Sequence, residues 1–207
     1  MDQNLALLLI PIAYLIGSVS FAVVVSKCMR LPDPHSYGSG NPGATNVLRT
    51  GNKLAAVLTL IGDALKGYLA VMLARVILGD GSLTSTMGSW ILCGIVIAVF
   101  LGHLFPIFHG FKGGKGVATA AGILFMFSWV MGLTVLGIWL GVFFIWRYSS
   151  LAAIIAGSLS PVIGFFYGID FYELIASSMI ALILILRHME NIKRLIDGTE
   201  SGFKDKK

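Results

Sequence analysis

Three polar stretches carry the side chains that could do chemistry. The first is Tyr37-Gly38-Ser39-Gly40-Asn41-Pro42-Gly43-Ala44-Thr45-Asn46-Val47-Leu48-Arg49. Proline lacks an N–H and pushes the residue before it toward extended backbone, so Gly40-Asn41-Pro42-Gly43 cannot continue a helix. Glycine at 38, 40 and 43 permits positive φ and lets a ligand approach bare backbone. Successive N–H groups in such a turn form an anion-binding nest, to which Ser39, Thr45 and Asn46 add donors and Arg49 a charge. Taken alone, the stretch reads equally well as a polar turn between membrane helices.

The second stretch, His109-Gly110-Phe111-Lys112-Gly113-Gly114-Lys115-Gly116-Val117-Ala118-Thr119, has the same character. It is no Walker A loop: His109 stands where the first glycine belongs, and Gly116 replaces the Ser or Thr after Gly114-Lys115. A run of flexible backbone N–H groups, two lysines and Thr119 opening a helix still suit a phosphoryl group better than a plain basic turn. The third stretch runs from Arg187 to Glu200. If the helix before it continues, His188 and Asn191 share one face, and Gly198 stops the helix just before Thr199 and Glu200. A basic anchoring tail explains the lysines at 204, 206 and 207, but less naturally a His and an Asn at a membrane boundary.

The elements that must position these stretches are membrane spans. Of 207 residues, 57% are hydrophobic and 12% charged, half the charge of a soluble domain. Apolar runs cover residues 5–26, 54–78, 89–105, 117–146, 151–167 and 171–186, near the ~20 residues that one span needs. The 117–146 run reads as one tilted helix or as two short ones with a turn near Trp129 to Gly132. The expectation is an all-α polytopic helical bundle, one membrane domain over residues 1–207, with seven transmembrane helices or alternatively five. Gly132, Gly137 and Gly141 suit close helix packing. Basic residues gather in segments 27–53, 106–119 and 187–207, whereas Asp2, Asp80, Asp170 and Glu173 mark the other side. The positive-inside rule therefore places those three segments in the cytoplasm and the amino terminus outside. Arg147 inside favours seven spans. Asp63 and Lys66 lie within a span, roughly 15 Å from its cytoplasmic end at 1.5 Å per residue. Charges at that depth read as a mutual pair facing the bundle, with a structural role. His103 at the foot of the third span reads as a ligand contact or a packing histidine.

Several chemistries are excluded. The acidic amino terminus is no cleavable signal peptide. Cys28 and Cys93 fall at opposite membrane faces, which argues against a disulfide. No cluster has zinc spacing and no G-x-S-x-G elbow occurs. The net charge of +5 suits an anionic leaflet, and no basic stripe interleaved with aromatics suggests nucleic acid. The His-x4-Asp arrangement of soluble and peripheral glycerolipid acyltransferases is absent after every histidine: Gly40, Phe108, Gly114 and Lys193 hold the Asp position.

Together, residues 38–49, 111–119 and Arg187-His188-x-x-Asn191-Ile192-x-Arg194-Leu195-x-x-Gly198-x-Glu200 resemble the three motifs of the bacterial acyl-phosphate:glycerol-3-phosphate acyltransferases, in order and over nearly the whole chain. The resemblance implies an enzyme of the cytoplasmic (inner) membrane with its active site on the cytoplasmic face. It passes a fatty acyl group from acyl phosphate to the 1-hydroxyl of sn-glycerol 3-phosphate, the first step of phospholipid synthesis. It implies no cofactor and no metal, membrane lipid around the chain, and functional coupling to the enzyme that forms acyl phosphate. By the same analogy Ser39, Arg49, Lys115, His188 and Asn191 are catalytic. Gly40, Asn41, Gly43, Thr45, Asn46, Lys112, Gly113, Gly114, Gly116 and Thr119 bind substrate, and Glu200 is structural. Two other classes remain open. A transporter of phosphate or an organophosphate would place its cations at the bilayer midplane in repeated halves. A lipid phosphotransferase would need metal-binding carboxylates on neighbouring turns, which Asp63 alone does not supply.

Overall fold

The structure is a computed structural model that describes residues 3–79 and 85–202, and all regular structure among them is helical. Asp2, Asp80, Lys204, Lys206 and Lys207, on which part of the orientation argument rests, lie outside the described residues. The chain divides into two compact units, Met1–Met126 and Phe127–Lys207.

In the first unit α1 (Gln3–Leu7) and α2 (Leu9–Gly17) lead into α3 (Phe21–Cys28) and the short α4 (Ala44–Val47). The long helices α5 (Lys53–Leu78) and α6 (Thr86–Leu104) follow, and α7 (Val117–Phe127) runs to the unit boundary. α6 packs against α2 and α5, and α5 against α3 and α4. Glycine brings these helices together main chain to main chain. A Cβ on Gly17 would stand inside the backbone of Val99, and one on Gly102 inside that of Tyr14 and Ser18. Gly67 against Thr119 and Gly122 against Ala64 do the same for α5 and α7. Lipid is as apolar as leucine, so close contact of this kind must supply what hydrophobicity cannot.

The structure corrects the first span, which is not one helix over residues 5–26. It breaks between Gly17 and Phe21 with a bend of 43°. The Ser18 hydroxyl donates to the Tyr14 carbonyl at 2.9 Å, and the Val19 carbonyl accepts from Lys66 Nζ at 2.7 Å. A carbonyl left without a partner in hydrocarbon is costly, so the break is tolerable because a buried cation meets it. Lys66 also lies 2.8 Å from Asp63 Oδ1, each side chain only 3% exposed. His103 Nδ1 stands 3.5 Å from the same carboxylate oxygen, and the Thr119 hydroxyl donates to the Asp63 carbonyl at 3.0 Å.

The second unit holds α8 (Trp129–Trp146), α9 (Ser149–Phe166), α10 (Phe171–Arg187) and α11 (Met189–Ile196), with α9 packed between α8 and α10. The 117–146 run is two helices, broken at Ser128, whose Oγ accepts the Met131 N–H at 3.4 Å. Gly137 and Gly141 are not packing positions: nothing lies within 4 Å of where their Cβ atoms would stand. Arg147 closes α8 in the left-handed region at φ 61°. Asp170 and Glu173, read above as outside acids, form the capping box of α10. The last span, expected over residues 171–186, is α10; the helix does not continue straight into the third motif, because α10 stops at Arg187 and α11 leaves it at 55°. Four described helices are long and apolar enough to cross a membrane, or six spans if each bent pair counts as one.

Removing one partner of the Asp63–Lys66 pair strands a buried charge. Lys66→Met should cost about 3–5 kcal/mol of stability, and adding Asp63→Asn should recover part of it. Thermal unfolding in detergent measures both; equal melting of the single variant and the parent would overturn the assignment.

Candidate active site

The first motif is a turn tied by one buried side chain. Asn46, 2% exposed, accepts the Ser39 N–H on Oδ1 at 3.1 Å. Its Nδ2 donates to the Pro34 and Tyr37 carbonyls at 2.8 and 3.2 Å. The expectation that Asn46 offers donors to a ligand is corrected, since these contacts hold the turn itself. Gly38 sits at φ 60°, and a Cβ there would run into Asn46 Oδ1 and the Arg49 stem. Gly40, at φ 65°, bonds the Tyr37 carbonyl at 3.0 Å. The Gly43 carbonyl then starts α4 by accepting from Asn46 and Val47, and Asn52 caps α5 through the Ala55 N–H at 3.0 Å. Ser39, Gly40, Thr45 and Arg49 remain exposed; Asn41 and Gly43 are half-buried.

The second motif is a strap pressed onto the end of α6. The Tyr14 hydroxyl donates to the Phe105 carbonyl at 2.6 Å, and the Ile107 N–H donates to Ser18 Oγ at 3.4 Å. Gly113, Gly114 and Gly116 are buried. A Cβ on Gly114 would enter the His103 ring, one on Gly116 the Phe100 ring, and one on Gly113 the His103 carbonyl and Pro106. The Gly114 N–H donates to the His103 carbonyl at 3.1 Å. These glycines serve close packing, and the flexible loop read from the sequence is corrected accordingly. Thr119 is corrected too: fully buried, it commits its hydroxyl to Asp63. Lys112 is exposed and Lys115 half-buried.

The sequence reading passed over His35. Its Nε2 lies 3.0 Å from the Lys112 carbonyl and its Nδ1 2.8 Å from Asp33 Oδ1, so it joins the segment before the first motif to the second. The Asp33-x-His35 spacing, an acid two residues before a histidine, was the available signal. The His35 backbone N–H, and then its ring, hold the Asp33 carboxyl below the ordinary value. Burial, with the charge of His35, holds the His109 imidazole low.

In the third motif the broken helix places His188 at the α10–α11 corner, 2% exposed, with Nδ1 2.8 Å from the Leu184 carbonyl. A carbonyl only accepts, so Nδ1 carries a proton and Nε2 is the basic nitrogen of the neutral ring. Asn191, buried on α11, donates to Glu200 Oε1 at 2.6 Å. The Ser150 hydroxyl donates to that same oxygen at 2.6 Å, and Arg194 Nε donates to Oε2 at 2.8 Å. Gly198 at φ 68° ends the helix where the sequence placed the stop. Burial opposes the Glu200 charge most strongly, but the hydrogen bonds from Ser150, Arg194 and Asn191 together hold its carboxyl below the ordinary value.

A depressed folded-state pKa means stability that is present above the unfolded value and lost as pH falls through the folded one. Glu200→Gln should therefore melt below the parent at neutral pH, with the gap closing as pH falls through the acid range. A gap independent of pH in melting curves would show that the carboxylate charge is not what holds the corner.

A polytopic helical membrane protein whose polar chemistry is gathered in short segments at helix ends is the class that this architecture defines. The chain belongs to the glycerol-3-phosphate acyltransferase family, whose family model matches residues 7–198. The glycerol-3-phosphate acyltransferase of Cupriavidus taiwanensis is 58% identical over 199 residues, covering 94% of this chain and 95% of its own length. That of Cupriavidus metallidurans is 57% identical over 205 residues, covering 97% and 98%. The crystal structure of PlsY (YgiH), an integral membrane glycerol 3-phosphate acyltransferase, in its glycerol 3-phosphate form matches with a TM-score of 0.87. It is 40% identical and covers 96% of both chains. The lysophosphatidic acid form matches at 0.86.

Proposed function

We propose that this protein moves a fatty acyl group from acyl phosphate to the 1-hydroxyl of sn-glycerol 3-phosphate, giving lysophosphatidic acid and inorganic phosphate. The observation that carries the reading is family membership over residues 7–198, with all three motifs inside that span. PlsY, similar along nearly its full length, is known in glycerol 3-phosphate and lysophosphatidic acid forms, an acceptor and a product of such a transfer. Nothing in the fold favours the transporter.

In this proposal Ser39 and Arg49 bind glycerol 3-phosphate, and His188 and Asn191 bind or orient it. The Lys112–Gly116 strap takes the acyl-phosphate group, with Lys115 neutralising phosphate charge. Gly40, Asn41, Gly43 and Thr45 line the first motif; Asn46, Thr119 and Lys66 hold backbone, Asp63 pairs with Lys66, and Glu200 gathers the side chains of Ser150, Asn191 and Arg194. Acyl phosphate is a mixed anhydride with a good leaving group, so positioning and stabilisation of developing charge suffice without a covalent enzyme intermediate. The hydroxyl proton passes to His188 Nε2 or to the substrate's own phosphate. The chain sits in the bacterial inner membrane as one membrane domain with seven spans, amino terminus outside. Segments 27–53, 106–119 and 187–207 are cytoplasmic, where they receive acyl phosphate from the enzyme that forms it. The positive-inside rule supports this orientation.

Purified protein in detergent should release phosphate from palmitoyl phosphate only when glycerol 3-phosphate is present, forming lysophosphatidic acid in equal amount. No turnover by folded protein with several chain lengths would overturn the reading. If His188 is the base, His188→Ala should lower kcat by about a hundredfold or more. A loss confined to KM would assign the proton to the substrate's phosphate.

A further inference from the structure

Each nitrogen of the His35 ring faces an atom that can only accept: Nδ1 the Asp33 carboxylate at 2.8 Å, Nε2 the Lys112 carbonyl at 3.0 Å. Both contacts are hydrogen bonds only when both nitrogens carry a proton; the neutral ring makes one. Asp33 is itself fixed in place. Its Oδ1 accepts the His35 backbone N–H at 2.9 Å, and its carbonyl accepts the Ser36 hydroxyl at 2.7 Å and the Ser36 N–H at 2.9 Å. At the other end, Phe111 holds φ 62°, a backbone region that a bulky side chain rarely occupies. The Lys112 N–H bonds the His109 carbonyl at 3.2 Å. A strained residue next to an exposed lysine is a place where an outside clip decides the backbone position.

We propose that His35 is a positioning residue for the second motif, its doubly protonated ring clipping the Lys112 backbone to Asp33 and so setting where the Lys112 ammonium meets a phosphoryl group. The inference deepens the acyltransferase reading and rests on it. The other titratable groups facing the clip are Asp33 and Tyr37 on the same segment, and His109 and Lys112 on the strap. The His109 ring is centred 6.4 Å from that of His35, and Lys66 acts on His109 from α5. Burial, and then the charge of His35, lowers the His109 imidazole from its ordinary value.

An arginine at 35 donates from a permanently charged fork and should keep the clip. KM and kcat for palmitoyl phosphate are to be measured in the parent, His35→Ala and His35→Arg. His35→Ala should show a KM about tenfold higher with kcat little changed. His35→Arg should keep a low KM. A parental KM in His35→Ala, or a KM in His35→Arg as high as that of His35→Ala, overturns the proposal. Hydrogen exchange of the peptide 105–118 reads the clip without turnover: faster in His35→Ala and restored in His35→Arg. Equal exchange in all three also overturns it. A parent that turns over no acyl phosphate overturns the acyltransferase reading instead, and the exchange result still decides the clip.

Discussion

The carboxylate of Asp63, 2.8 Å from Lys66 inside a membrane helix, is the interaction on which the first unit depends. Two charges at that depth persist only if each is paired and its remaining bonds are met. Here the pairing does more than neutralise. Lys66 gives another hydrogen to the Val19 carbonyl, which the break in the first span has released. His103 comes from the foot of α6 to the same carboxylate, and Thr119 reaches the Asp63 backbone from α7. One turn of α5 therefore fixes the α2–α3 corner, the end of α6 and the start of α7. The end of α6 and the start of α7 flank the second motif, so the position of that motif is set from within the bilayer.

The first two motifs repeat this division between side chains that hold backbone and side chains left outward. Asn46 knots the first turn with three bonds and leaves Ser39, Thr45 and Arg49 exposed. The His103 carbonyl and ring seat the second strap and leave Lys112 exposed. Glu200 gathers Ser150, Asn191 and Arg194 at the third corner. A carboxylate that accepts several hydrogen bonds keeps its charge to lower pH than a bare one.

Helical class, most span positions, the Asp63–Lys66 pairing and the Gly198 stop were legible in the sequence, because hydropathy, intramembrane charge and glycine report directly on bilayer physics. The break at Ser128 was legible as one of two readings of the 117–146 run. The break after Gly17 was not, because what makes it tolerable is a tertiary partner, Lys66, on the Val19 carbonyl. Residue types also failed to separate ligand donors from scaffold. Asn46 and Thr119 look like phosphate donors in one dimension, but their hydroxyl or amide groups point into the fold, a distinction that only burial reveals. His35 was missed because its partner is a backbone carbonyl 77 residues away.

Glycine illustrates how the same letter performs two physical tasks in one family signature. At 38 and 40 it takes positive φ in an exposed turn, where a side chain would strain the backbone by about 1–2 kcal/mol. At 113 and 114 φ is not in that region, yet a Cβ has no room against His103 and Pro106. There the steric conflict is with packed helix, and relief requires the strap to lift from α6 and carry Lys112 and Lys115 with it. The first motif is thus a turn that stands by its own bonds, whereas the second takes its shape from the helix end beneath it. Its placement rests on His103, which stands 3.5 Å from the buried carboxylate of Asp63, together with the His35 contact to the Lys112 carbonyl.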